Sequence, residues 1–421
     1  MDETDSMGSD ATWRPLKVCF IGNTNNYPFL IASAMQRMGH SVTMLLDRPE
    51  SLHRPDGRYV DVDLSSHGWL RDLSGCITPE RWRLSHCDEL TPARLNQHDL
   101  IVANGVGPAL IDRCNTPVFA LLTGSDLTHL ADPSSVRALW SDLSPRIGWV
   151  RACLAAVLHA RLVARQRQTI SRALGVSYFV AGVVPKADQL LDGMGIGPSR
   201  RVSFMLSDVD HIAPAPWHAG RNRLRVFNVA RLNWRLPKPA HLSELDMKGT
   251  DVLLKGFAMF VHRHGGGAEL VLVRKGVDVQ ATEMEVEQLG IGQHVTWLDE
   301  MSQAEVFDQY ALADVVVEQL STSYVGMGGL DAMASGRPVI ANTRPDAPAR
   351  ELLDNSPVLH ATTPNDICGH LEALTRSVAF RRELGERSRH YVEYRHSPSA
   401  AARRILALLT PGNAALTGHA A

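Results

Sequence analysis

The stretch from Ala313 to Asn342, ADVVVEQLSTSYVGMGGLDAMASGRPVIAN, gathers the residue types that an anionic, hydroxyl-rich ligand needs. An apolar strand ends at Glu318, a loop with Gly326, Gly328 and Gly329 follows, and a short helix carries Asp331 before Gly336-Arg337-Pro338 turns the chain into another strand. Glycines let backbone N–H groups approach an anion, and a helix N-terminus adds roughly half a positive charge. A carboxylate one turn inside can accept hydrogen bonds from sugar hydroxyls. Together these describe a seat for a nucleotide's phosphates and ribose.

The elements that position such a seat follow from apolar periodicity. Lys17 to Gly22 (KVCFIG) reads as a strand, Ile31, Ala34, Met35 and Met38 recur at helical spacing, and Ser41 to Leu46 is the next strand, which makes one β-α-β unit. Strands at Leu100 to Ala103, Val118 to Leu122 and Ser177 to Ala181 extend an open parallel sheet. Proline, glycine and histidine cluster between Asp210 and Arg223 without periodicity and mark a boundary. Strands then recur at Leu224 to Ala230, Glu269 to Val273, Val295 to Leu298, Val315 to Glu318 and Pro338 to Ala341. Helices are predicted over Asp251 to His262, Thr282 to Leu289, Gln303 to Ala311 and Gly329 to Ala334. The expectation is an α/β chain with two doubly wound parallel-sheet domains, residues 1–212 and 213–395, facing an interdomain cleft. A terminal helix and tail over 396–421 would return toward the first domain.

The Ala313 to Asn342 segment resembles the signature of the retaining, GT-B-fold glycosyltransferases of family 4. There a phenylalanine- or tyrosine-glycine loop leads to a helix reading Glu-Ala-Met-Ala-x-Gly-x-Pro-Val-Ile. Here Gly326 precedes Asp331 by five residues, and Ala332-Met333-Ala334-Ser335-Gly336-Arg337-Pro338-Val339-Ile340 follows. Asp331 stands where glutamate is usual, and Ser323 stands where many members carry the first glutamate of a Glu-x7-Glu pair. A second block, Asn228-Val229-Ala230-Arg231 with Lys248-Gly249-Thr250-Asp251, is similar to the family's strand end and helix start.

The resemblance implies that Arg231 and Lys248 clamp the donor diphosphate, with Lys238 an alternative to Lys248. It assigns donor contacts to Asp331, Gly326, Met327, Gly328, Tyr324, Lys275 and Leu298, the last two through Val271 to Gly276 and Val295 to Leu298. It places acceptor or sugar contacts at Gly22, Asn23 and Asn26, and at Gly124, Ser125 and Asp126 of Thr123-Gly124-Ser125-Asp126. It further implies a UDP- or GDP-linked sugar as co-substrate, a small-molecule acceptor, no metal or other cofactor, and front-face transfer with retention.

Composition bounds the alternatives. The 421 residues carry a formal charge of -2 and 44% hydrophobic residues, an ordinary globular balance without the basic excess of a nucleic-acid binder. No apolar run approaches the roughly 20 residues of a membrane span, and Met1 to Pro15 lacks the pattern of a signal peptide, so a cytoplasmic location is expected. Cys19, Cys76, Cys87, Cys114, Cys153 and Cys368 are irregularly spaced and read as small hydrophobes. Only six of the 43 basic residues are lysine, which suggests a GC-rich bacterial source and a specialised-metabolite pathway.

The triplets Asp61-Val62-Asp63 and Asp208-Val209-Asp210 could hold a divalent cation but read better as surface aspartates. Pro145 to Arg172 reads as a basic amphipathic helix, either core-facing with solvated arginines or resting on an anionic membrane. A lipid-linked acceptor, a same-fold sugar-nucleotide epimerase and a non-catalytic nucleotide-sugar binder are the alternative functions.

Overall fold

A computed structural model describes residues 14–59, 62–75, 87–178, 182–203, 205–217, 223–239, 244–322, 324–343 and 356–409. The chain forms two units, with residues 402–409 joining the first and 205–401 forming most of the second. The first unit is built on β1 (Lys17–Ile21), β2 (Ser41–Leu46), β3 (Leu70–Asp72), β4 (Leu100–Ala103), β5 (Val118–Leu121) and β6 (Gly175–Ser177). They pair in parallel in the order β3-β2-β1-β4-β5-β6. The inner strands β4 and β5 are buried at every position, as helices covering both faces of a parallel sheet require. Cys19, Ile21, Ile101 and Val118 join Leu45 and Leu95 in one of these cores.

β6 lies earlier than the strand predicted over Ser177 to Ala181, of which 179–181 fall outside the described residues. The pairing of Gly175, Val176 and Ser177 with Phe119, Ala120 and Leu121 sets its place. Gly175 is needed there, because a Cβ would stand 2.5 Å from Leu408 Cδ1. The half-exposed edge strand β3 carries no apolar run and was not predicted.

The segment predicted as one helix over Pro145 to Arg172 is two. A helix spans Ser134–Ile147 and contains Pro145, Gly148 takes φ 82 and ψ 152, and a second helix spans Trp149–Arg172. The positive φ of Gly148, which glycine reaches at little cost, turns the chain back so that the two helices pack on each other. The second helix buries Ala152 near its start and then, in its later part, Leu162, Val163, Gln166, Thr169 and Ile170. Arginines there are tied rather than solvated: Arg172 donates to the carbonyls of Ile111 and Cys114, and Arg167 to that of Ala131.

The second unit repeats the plan with β7 (Leu224–Asn228), β8 (Ala268–Val273), β9 (Val295–Leu298), β10 (Val315–Val317), β11 (Val339–Ala341) and β12 (Leu359–His360). The order is β12-β11-β10-β7-β8-β9, again all parallel. Numbered within each unit, both sheets read 3-2-1-4-5-6, so each has a topological switch point, between β1 and β4 and between β7 and β10. The two-residue edge strand β12 was too short to be predicted.

Between β7 and β8 the helix Thr250–His264 buries Leu253, Leu254, Phe257, Phe260 and Val261, an i, i+3, i+4 stripe facing the sheet. It packs on the helix Pro364–Arg376, whose start carries a capping box from Thr363 and Asp366. The two approach closely at Gly256, where a Cβ would lie 2.5 Å from Ile367 Cβ and 2.7 Å from the Pro364 carbonyl oxygen.

Gly256→Ala therefore sets a helix-propensity gain of about 1 kcal/mol against an overpacking cost of about 1–3 kcal/mol. Because backbone and a β-branched side chain meet the new methyl, the cost wins, and urea denaturation will show a lower midpoint. Gly369→Ala, at a helical position with open space around it, will raise the midpoint by up to about 1 kcal/mol.

Candidate functional site

The predicted donor residues of the second unit lie beyond the carboxyl ends of β7, β8, β9 and β10. β7 ends at Asn228, and the chain runs through Arg231 and Leu232 into a turn held by Asn233. Buried Asn233 links three turns. Its carbonyl accepts from Lys248 N at 2.7 Å, its Oδ1 accepts from Val277 N at 2.9 Å, and its Nδ2 donates to the Asp246 carbonyl at 3.2 Å.

The Lys275–Gly276 turn after β8 closes on the same loop. Leu232 N donates to the Lys275 carbonyl at 2.7 Å, and Gly276 (φ 133) leaves no room for a Cβ, which would meet Leu232 O at 2.5 Å. Arg231 and Lys275 thus emerge side by side, and Lys275 pairs with Glu300 just after β9. Leu298 ends β9 and gives its carbonyl to Arg274 N at 2.8 Å.

Lys248 sits before Gly249, whose αL conformation (φ 70, ψ 35) starts the helix Thr250–His264 against Leu320 and Ser321. Its Nζ donates to the Leu245 carbonyl at 2.8 Å. Burial lowers the Lys248 pKa below the ordinary lysine value, the charges of Glu318 and Asp246 oppose that, and the Arg231 charge adds to it. Arg231 and Lys248 are therefore within each other's field. The Arg231 side chain is exposed and makes no hydrogen bond or ion pair with any described residue. Lys238 is half-buried and engaged with other groups.

The glycine loop is anchored from below. Glu318, directly after β10 and buried, accepts from Gln319 N at 2.8 Å and Gly326 N at 2.7 Å through Oε2. The glycines are required by packing: a Cβ at Gly326 would meet Glu318 Oε1 at 2.4 Å, at Gly328 Val229 Cγ1 at 2.9 Å, and at Gly329 Val325 Cγ1 at 2.6 Å. Gly328 also gives its carbonyl to Tyr310 Oη at 3.0 Å.

Gln319 completes the loop, its Oε1 accepting from Ser321 N and its Nε2 donating to the Leu245 carbonyl. Tyr324 is nearly buried beside it. The helix Met327–Ala334 carries Met327 exposed on its first turn and Asp331 half-buried, with Ser207 Oγ donating to Asp331 Oδ1 at 2.8 Å. Ser323 lies outside the described residues. Lys248 feels the charges of Glu318, Asp246 and Arg231; Glu300 feels Lys275 and Arg231; Tyr324 feels Glu318 and Asp246; and the Tyr310 hydroxyl feels Asp331 and Glu318.

The acceptor-side residues of the first unit also meet at a switch point. Gly22 (φ 89) follows β1 where a Cβ would stand 2.4 Å from the Asn104 carbonyl oxygen, directly after β4. Asn23 and Asn26 are buried and spent on structure. Asn23 Nδ2 donates to Asn26 Oδ1 and the His53 carbonyl, Asn23 Oδ1 accepts from Phe29 N, and Asn26 Nδ2 reaches the Leu52 and Arg54 carbonyls. Asp126 accepts from the N–H groups of Thr123, Gly124 and Leu127, and burial raises its pKa against those hydrogen bonds. Ser125 is the exposed side chain of the Gly124-Ser125-Asp126 turn.

Asn104 joins the two groups, accepting from Thr24 N at 2.8 Å and donating to the Leu121 carbonyl at 2.7 Å and Asp126 Oδ2 at 3.4 Å. Sequence reading missed Asn104, Asn233, Glu318 and Gln319. Each follows a strand directly or by a few residues, which was the available signal.

Asp61 lies outside the described residues, and Asp208 binds His211 Nδ1 at 2.7 Å. Among the described residues no group of three His, Cys, Asp or Glu side chains is placed to hold a metal ion. None of the helices described is long and apolar enough to cross a membrane.

Two six-stranded parallel sheets with one shared topology, each with polar residues gathered at its switch point, define the GT-B glycosyltransferase fold. Residues 239–377 match the family model described as glycosyl transferases group 1. Over 225 residues the chain is 26% identical to D-inositol 3-phosphate glycosyltransferase of Nocardia farcinica, covering 47% of this chain and 49% of the relative. The chain thus spans about half the length of that curated relative. Among solved structures, HepE of Anabaena in complex with UDP and glucose covers 93% of this chain and 98% of its own at TM-score 0.53 and 13% identity. A glycosyltransferase from Rickettsia africae covers 94% and 98% at TM-score 0.55 and 13% identity. Sucrose-phosphate synthase of Thermosynechococcus elongatus covers 94% and 98% at TM-score 0.51 and 14% identity. The solved structures share the fold.

Glu318→Ala will leave the N–H groups of Gln319 and Gly326 without their acceptor and cost about 2–4 kcal/mol in urea denaturation of the second unit. Glu318→Gln keeps an acceptor oxygen and will cost less. A loss below about 1 kcal/mol for the alanine variant would show that the carboxylate does not hold the loop.

Proposed function

We propose that this chain is a retaining glycosyltransferase that moves a hexose-type sugar from a UDP- or GDP-linked donor to a small-molecule acceptor without a metal ion. The observation that carries this reading is the placing of two like charges after β7: exposed Arg231 and half-buried Lys248, whose ammonium feels the Arg231 charge, on the loop that Asn233 ties to the Lys275–Gly276 turn. Like charges brought together at a cost imply a bound anion that repays it, and a diphosphate is the anion a nucleotide sugar offers. The family model over 239–377 and the UDP bound by HepE support the donor class.

In the proposed reaction the bond between the anomeric carbon and the diphosphate oxygen breaks, and the acceptor oxygen bonds to that carbon on the same face. The acceptor's proton passes to an oxygen of the departing diphosphate. Arg231 and Lys248 stabilise the charge that develops on the leaving group, the part a divalent cation takes in other transferases, and each contact is worth about 1.5–3 kcal/mol. Asp331 and Tyr324 line the ribose and sugar side, Gly326, Met327 and Gly328 the phosphate side, and Lys275 and Leu298 the base side. In the first unit Ser125 and the backbone at Gly22 and Gly124 face the acceptor. Asn23, Asn26 and Asp126 act by positioning that backbone. The relative's name makes a polyol phosphate a first acceptor to assay, and the arginine-rich composition points to a specialised-metabolite pathway of a GC-rich bacterium.

A thermal-shift panel of UDP, GDP, TDP and ADP tests the donor class, since a nucleotide at a hundredfold excess over its Kd stabilises the fold by about 2.7 kcal/mol. UDP or GDP will raise the midpoint, and Arg231→Ala and Lys248→Met will each weaken that response at least tenfold. No nucleotide response, or full response in both variants, would refute the clamp. Nucleotide-sugar stabilisation without diphosphate release under any acceptor would identify a binder, and a changed donor sugar without acceptor an epimerase.

The same lysine sets a pH dependence. With its folded pKa below the ordinary value near 10.5, Lys248 loses its charge earlier than a surface lysine as pH rises. Nucleotide affinity, followed by titration calorimetry, will therefore fall on the alkaline side before surface lysines titrate. Lys248→Arg will remove that alkaline limb.

A further inference from the structure

The hairpin of the helices Ser134–Ile147 and Trp149–Arg172 carries its apolar residues where no core receives them. Trp149 is 70% exposed, Val150 61%, Leu154 60% and Val157 50%, with Trp140 and Ile147 at 40% on the facing helix. Every residue from Ser141 to Arg151 is exposed or half-buried, and Ser135 is the one fully buried residue of the first helix. Apart from Ala152, which is buried, the second helix buries no residue before Leu162, so along roughly 20 Å from Trp149, at 1.5 Å per residue, it is mostly exposed or half-buried.

Charge selects what meets this tip. Arg137, Arg151 and Arg161 are exposed and make no ion pair with any described residue, while Arg146 is paired at 2.9 Å with Asp142, the one acidic residue in 134–161. The flank is therefore cationic around an apolar, tryptophan-bearing end. A second copy of the same tip would bring like charges together. A bilayer with anionic headgroups offers the opposite charge, an interface for the tryptophans and an acyl boundary for Val150, Leu154 and Val157.

We infer that the 134–161 hairpin is a docking element that seats this protein reversibly on an anionic bilayer surface. The tip residues are not those of the switch points, which the second helix meets only further along, where Gln166 donates to the Gly105 and Asp126 carbonyls, so the inference does not depend on the donor or acceptor chemistry.

Co-sedimentation with phosphatidylglycerol-containing vesicles, against pure phosphatidylcholine vesicles, tests it with the whole chain. The protein will bind the anionic vesicles at least tenfold better, and raising salt from about 0.1 to about 0.5 M will release it. Trp149→Ser with Leu154→Ser will lower binding at least tenfold. Arg151→Glu with Arg161→Glu will lower it further than the roughly fivefold expected per arginine, since each change reverses a charge. Circular dichroism melts of these surface variants control for folding, and the salt and neutral-vesicle arms need no variant. Equal binding to neutral vesicles, or undiminished binding of the variants, would overturn the inference. So would sedimentation velocity showing a dimer of the free protein that Trp149→Ser with Leu154→Ser converts to monomer.

Discussion

The second unit's site depends on a buried carboxylate. Glu318 leaves β10 at the switch point, turns inward and spends Oε2 on two backbone N–H groups, those of Gln319 and Gly326. Taking a carboxylate out of water is costly, and those two hydrogen bonds and the nearby Lys248 ammonium offset it. The consequence is positional: Gly326 cannot drift, so the helix Met327–Ala334 starts at a fixed place and Gly328 presents its carbonyl to Tyr310. The lysine held in the same field is desolvated and close to Arg231. Glu318 thereby fixes the backbone turn and adds its charge to the field of the nearby Lys248, whose Nζ is held by the Leu245 carbonyl.

The first unit solves the same geometrical problem with a neutral group. Its switch-point strand β4 is followed by Asn104, as β10 is followed by Glu318. The amide can donate and accept, so it ties the Thr24 N–H of the β1 loop to the Leu121 carbonyl at the end of β5. A carboxylate could only accept. That difference matches what surrounds each residue: two N–H groups and a lysine around Glu318, a mixture of carbonyl and N–H around Asn104. The ordinary topology supplies the position, and the local inventory of donors decides the residue.

Much of this architecture is legible in the sequence because parallel strands covered on both faces appear as apolar runs. VCFI, LIVA, VFAL and VVV each fall on a strand within one or two residues. The edge strands β3 and β12 are short and half-exposed and leave no such run. Gly148 was visible in the sequence, but its φ of 82 depends on the packing of the two helices it joins, so the break was missed. At the site, Arg231 and Lys248 stand out through the resemblance of Asn228 to Arg231 and Lys248 to Asp251 to the family's strand end and helix start. The hydrogen-bond roles of Asn104, Asn233 and Gln319 do not, because their partners lie up to tens of residues away.

The glycines of the 326–329 turn make the limit clearest. Their type suggests close approach by a phosphate, yet each is already demanded by a protein atom: Glu318 at Gly326, Val229 at Gly328 and Val325 at Gly329. A single sequence cannot separate the two requirements, since both ask for a missing Cβ. The structure separates them by direction. The Gly326 N–H points into Glu318 and is spent there, and Arg231 is an exposed cation whose guanidinium makes no hydrogen bond or ion pair with a described residue. In the proposed reading, the glycine turn sets the shape of the seat, and the arginine and lysine supply its attraction.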